Sequence, residues 1–74
     1  MIVDVRRIAE DRGRVAYLCE NAGVPASLVI VEKATLDVSV LIEGDRTTAA
    51  ASVAKIRRTL TEGEYPDRLS VETG

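Results

Sequence analysis

Two pairs of carboxylates, one thiol and a scatter of cations are the side chains here with the means to do chemistry. Glu10-Asp11 and Glu43 with Asp45 place acidic groups close enough to share a cation, but neither pair follows a calcium-loop spacing. Solvated charges at the ends of structural elements explain both. Cys19 is the only cysteine, and the chain contains no histidine to activate it. Ser–His–Asp and Cys–His constellations therefore cannot be assembled. A phosphate-cradling GxxxxGK[ST], a GxGxxG turn and paired metal-binding cysteines are also missing. No residue is assigned a catalytic, cofactor-binding or metal-binding role, and the expectation is a protein that is not an enzyme and carries no cofactor.

The cations are the remaining site candidates. Arg12, Arg14, Lys55, Arg57 and Arg58 have the chemistry to contact nucleic acid or an acidic partner. Each group also has a purely structural explanation. Arg12 and Arg14 are interleaved with Glu10 and Asp11, which suits a solvated mixed-charge face. Lys55, Arg57 and Arg58 fall in the last turns of a predicted helix, where cations offset the negative end of the helix dipole. The net charge of −2 does not favour a polyanionic partner.

The elements that must position these residues centre on Leu28 to Glu43. Leu28-Val29-Ile30-Val31 is a continuous apolar run, as expected of a strand covered on both faces. Leu36, Val38, Val40 and Ile42 then alternate with Asp37, Ser39, Leu41 and Glu43, the half-buried strand pattern. Two strands joined by a turn near Glu32–Thr35 are expected, although that turn lacks Gly, Asn and Pro. A helix from Pro25 to Thr35 is the competing reading.

Upstream, Ile2-Val3-Asp4-Val5 is β-prone, with Ile8 within reach of the same strand. Beyond it Gly13 leaves two versions open: one helix from about Arg6 to Ala22, or a strand to Ala9, a turn over Glu10–Gly13, and a helix starting at Arg14. In both, Val15, Leu18, Cys19 and Ala22 share a helical face, and Gly23 suits a left-handed cap. Cys19 on that stripe reads as a buried, inert thiol. Downstream, Asp45 or Thr47 is placed to cap a helix over Thr47–Glu62, with Ala49, Val53, Ile56 and Leu60 as its apolar stripe. Ser52, Lys55, Arg58 and Glu62 are expected on its solvent side, and Gly63 as its cap. Arg68–Glu72 is either a final edge strand or part of a flexible tail over residues 64–74.

Three resemblances follow from these elements. Arg14 to Leu28 resembles the first helix and turn of a helix-turn-helix, with Leu18, Cys19, Ala22, Gly23, Val24 and Val29 at suitable places. Ala26–Ala34 departs from it, offering only Ser27, Glu32 and Lys33 to base edges. The order strand, helix, strand, strand, helix, strand resembles that of ferredoxin-like domains. Within that group, Glu10-Asp11-Arg12-Gly13 and Ala22-Gly23-Val24 look like the flanks of the first helix in small-molecule-sensing ACT domains. The proline of that family's Asp-Arg-Pro-Gly signature is absent, and no ligand residue is carried over. Without its outer strands the order resembles small phage head-completion proteins in topology only.

The expected fold is a single α+β domain over residues 1–74: a two-layer βαββα(β) sandwich with an antiparallel sheet and two helices, Arg14–Ala22 and Thr47–Glu62, on one face. A chain of 74 residues without Trp or Phe has a thin core. Without a disulfide or zinc site, oligomerisation is the device left to it. The expected function is a small non-catalytic protein–protein interaction or regulatory module, homodimeric, whose partners are itself and another protein. A DNA-binding regulator using the five cations is the alternative. The start of the chain lacks a signal-peptide pattern and no apolar run approaches the roughly 18 residues that span a bilayer. With a lone thiol, this points to the cytoplasm and to no membrane partner.

Overall fold

The computed structural model describes residues 2–60 and 63–72. Over these the chain forms β1 (Ile2–Glu10), β2 (Arg14–Asn21), β3 (Val24–Glu32), β4 (Asp37–Glu43), α1 (Arg46–Thr59) and β5 (Arg68–Glu72). The strands belong to one antiparallel sheet in the order β4-β3-β2-β1-β5. β1 to β4 make a meander. α1 then carries the chain back across one face of the sheet, so that β5 pairs with β1.

The two-helix sandwich is thus corrected. Arg14–Ala22 is not a helix: Arg14–Asn21 is β2, the middle strand of the sheet. The ferredoxin-like order, the ACT-like and helix-turn-helix resemblances and the helix–hairpin–helix order all required a helix there, and all fall with it. The segment suits both periods. In a segment this short, Val15, Leu18 and Cys19 fit a helical stripe while Val15, Tyr17 and Cys19 fit a strand face. The structure buries the second set completely. Ala22 and Gly23 decide between them. Both have positive φ, 52° and 78°, which is the two-residue turn whose twist matches a β-hairpin. A left-handed glycine after a helix and one inside such a turn look alike in sequence.

The Leu28–Glu43 hairpin is present, and its turn works without Gly or Asn because Leu36 adopts φ 60°. The Leu36 amide donates to the Glu32 carbonyl (2.7 Å). The even alternation expected of the second strand is interrupted, however. Val38 pairs with Val31 and Val40 with Val29, but Ile42 pairs with Leu28, leaving Leu41 as the extra residue of a β-bulge. Ile42 thereby leaves the face that carries Val38 and Val40.

α1 begins at Asp45, whose carboxylate accepts from the Thr48 amide and hydroxyl. It ends at Leu60, whose amide donates to the Ile56 carbonyl, rather than at Gly63; Glu62 lies outside the described residues. Its sheet-facing side is Thr48, Ala49, Ser52 and Ile56. Ser52 is therefore fully buried instead of solvent-facing. Small side chains let the helix settle close to a layer of valines, and Val3, Val5, Val15, Tyr17, Cys19, Val29, Val31 and Ile56 make the core between them. Gly44, at the β4–α1 junction, has no room for a side chain, because a Cβ there would run into the Ala26 carbonyl.

Candidate functional site

α1 covers one face of the sheet. Strand alternation sends every second side chain to the other face, which no element among the described residues covers. The register orders that face into rows across the strands. One row runs Arg68, Arg6, Leu18, Leu28, Ile42. The next runs Ser70, Asp4, Glu20, Pro25. On the other side of the first row lie Ala16, Ile30 and Ser39.

The apolar members of these rows are contiguous. A shallow groove of about 310 Å³ is lined by Ile8, Leu18, Pro25, Ala26, Leu28 and Ile42, among others. Ile8 is 49% and Ile42 59% exposed, and Leu18, Leu28 and Ile30 are half-buried. Isolated exposed aliphatics are ordinary on a protein surface, but a connected group of them beside charged residues is a candidate contact surface. β3 shows the sharpest contrast between its two faces. Its run Leu28–Val31 has the composition of a strand covered on both faces. Val29 and Val31 are buried under α1, while Leu28 and Ile30 face outward with no described layer over them.

The sheet edges are less inviting. On β4, the Arg57 guanidinium donates to the Val38 carbonyl (3.4 Å), and the Leu41 bulge breaks the ladder. Acidic Asp37 and Glu43 stand at the two ends of that strand. These are ordinary protections of an edge strand. β5, the other edge, is only five residues long.

The cations singled out from the sequence are not brought together. Arg12 lies exposed in the β1–β2 connection. Arg14 starts β2 and pairs with Glu32 (2.9 Å). Lys55, Arg57 and Arg58 ride on α1, on the opposite layer from the open face. The paired carboxylates are each absorbed by the fold. Glu10 binds Lys33 (2.6 Å) and Arg7 (3.2 Å), and the hydrogen bond from Lys33 holds its carboxyl below the usual range. Asp11 accepts from the amides of Gly13 and Arg14, both 2.8 Å, which lowers its pKa likewise. Glu43 pairs with Arg46 (3.6 Å), and Asp45 caps α1 with a carboxyl lowered by its hydrogen bonds from Thr48. Burial pushes the Cys19 thiol up, away from the reactive thiolate. Among the described residues no group of three or more His, Cys, Asp or Glu is arranged to hold a metal ion. None of their helices is long and apolar enough to cross a membrane.

One polar cluster was not legible in the sequence, because its members are far apart in the chain. Arg7 ion-pairs with Asp67 and donates to the Tyr65 carbonyl (2.8 Å). Lys33 sits 5.3 Å from the Tyr65 ring centre. The Tyr17 hydroxyl donates to the Pro66 carbonyl (2.9 Å). The cluster works as a strut that fastens the connection before β5 to β1 and β2.

No protein-family model matches the chain, and the comparisons with curated proteins and with solved structures gave no match.

Proposed function

We propose that this chain is a small non-catalytic protein–protein interaction module whose docking surface is the open face of the sheet. The observation that carries this reading is β3, a strand of both-face composition with one face uncovered. Apolar burial is non-directional and scales with area, so Ile8, Leu18, Leu28, Ile30 and Ile42 reward any partner that excludes water from them. The charged residues around them then set orientation. The module is proposed to act in the cytoplasm, a reading supported by its single unpaired thiol. The five cations are divided between the two layers, which leaves the nucleic-acid reading without a continuous basic surface.

The test is the size of the chain in native extract of the cells that make it. The chain is expected to migrate above its 8.0 kDa monomer mass. A Leu28→Lys, Ile42→Lys variant is expected to stay folded by circular dichroism and to migrate as the monomer. Monomer migration of the unaltered chain would refute the reading.

A further inference from the structure

We infer that the occupant of the open face is a second copy of this chain, packed sheet against sheet about a two-fold axis that runs perpendicular to the strands, between the Arg6 row and the Asp4 row. This pairing rests on the open face being the docking surface, and it adds the partner and its orientation.

Charge points to this orientation first. The register sets Arg6 directly opposite Arg68, and Asp4 directly opposite Glu20. Like charges opposed across strands cost stability. One diagonal contact, Arg6 to Glu20 at 3.3 Å, offsets part of this. Among the described residues neither Asp4 nor Arg68 forms an ion pair. The face thus presents a basic pair beside an acidic pair, one row apart. A copy turned end for end exchanges the two rows, so that each Arg6 meets the partner's Asp4, while Arg68 meets the partner's Ser70. A two-fold interface brings one surface against itself, and only a face carrying both signs in adjacent rows can be complementary to its own copy in this way.

On β3 the same axis brings apolar residues together, whereas on β2 it sets Leu18 against the partner's Glu20. It lays Leu28 of one copy over Pro25 and Ala26 of the other, the two sides of the groove. It brings Ile8 toward the partner's Ile2, which is 58% exposed at the far end of β1. Size agrees. The molecule extends 31 × 20 × 17 Å. Complete overlap of two 31 × 20 Å faces, each with a footprint of about 600 Å², corresponds to about 1,200 Å² in total, the lower end for a stable specific interface.

The experiment is light scattering on the purified chain at micromolar concentration, with two single charge reversals and their mixture. The unaltered chain is expected at dimer mass. Arg6→Glu places acid against acid at both symmetry-related contacts, and Asp4→Arg places base against base, so each variant alone is expected as a monomer. Mixed in equal amounts, the two variants restore both contacts. The introduced glutamate of one copy then faces the introduced arginine of the other, and the remaining native Asp4 faces the remaining native Arg6. Dimer mass is expected to return. A dimer that persists in both single variants, or a mixture that stays monomeric while Leu28→Lys also abolishes the dimer, would overturn this orientation. A purified chain that is monomeric throughout would overturn self-pairing. If the same chain still migrates as a complex in native extract, and Leu28→Lys, Ile42→Lys abolishes it, the open face keeps its role with a different protein on it.

Discussion

Ser52→Ala is expected to make the protein more stable, against the usual direction of mutation. Ser52 is fully buried on the sheet-facing side of α1, one turn before Ile56, and its Oγ has no well-formed hydrogen bond. Its polar neighbour is the Cys19 thiol, a weak partner. A buried, unsatisfied hydroxyl costs about 1–3 kcal/mol. Alanine removes the hydroxyl and leaves a void no larger than one oxygen. It also favours the helix by about 0.5 kcal/mol over serine. Allowing for the lost contact with Cys19, the gain is about 1–2 kcal/mol, and in a domain of this size each kcal/mol shifts Tm by about 4–8 °C. Urea and thermal melts followed by circular dichroism measure it, at matched protein concentration because dimerisation would couple to folding. Ile56→Ala is the control on the same helix face and is expected to cost about 2–5 kcal/mol. A destabilised Ser52→Ala would refute the reasoning, since it would mean that the hydroxyl is satisfied. A gain of only a few tenths would place Ser52 on the solvent side and the helix in a different rotation.

Other outcomes follow from the same structure. Ala22 holds φ 52° in the β2–β3 turn, so Ala22→Gly or Ala22→Asn is expected to stabilise by about 1 kcal/mol, read from the urea midpoint; a loss would argue against that turn. Tyr17→Phe removes the hydroxyl that donates to the Pro66 carbonyl and is expected to cost about 1 kcal/mol, with amide exchange quickening first in β5. Glu10, Asp11 and Asp45 all have folded-state pKa values below their ordinary ones of 4.5, 3.8 and 3.8. A depressed carboxyl pKa gives stability that is full above the unfolded value and is lost as pH falls through the folded one. Denaturation midpoints are therefore expected to be flat from pH 7 to about 5 and to fall below about 4.5. Substituting Asn for Asp11 and Asp45 should flatten that fall, and an unchanged acid limb would contradict the assignment.

How far the sequence reveals the structure depends on where the deciding physics lies. The strand character of Ile2–Val5 and Leu28–Val31, the Asp45 cap and the helix behind it come from side chains acting on their own backbone, and these are readable locally. The identity of β2 is not. Val15 to Cys19 suits either period, and only pairing with β1 on one side and β3 on the other makes the strand. Ser52 misleads because polarity suggests solvent, whereas the close approach of α1 to the valine layer selects for small size. The bulge at Leu41 is equally silent in sequence, yet it moves Ile42 onto the open face. One part of that face was visible all along: Leu28-Val29-Ile30-Val31 has the composition of a strand covered twice, and the described residues supply only one cover. The five cations are recognisable by type in the sequence, but their positions on two layers follow from the topology.

The most direct measurement is the attenuation of methyl NMR signals by a dissolved gadolinium chelate at high micromolar protein concentration. If the open face is a docking surface filled by a second copy, the methyls of Leu28, Ile30 and Ile42 are expected to be nearly as well shielded as those of Val29 and Val31. Val24, 64% exposed beside the β2–β3 turn, should be strongly attenuated in the same sample. Dilution, or the Arg6→Glu variant, should expose the open-face methyls and leave the core unchanged. Open-face methyls attenuated as strongly as Val24 at every concentration would contradict it.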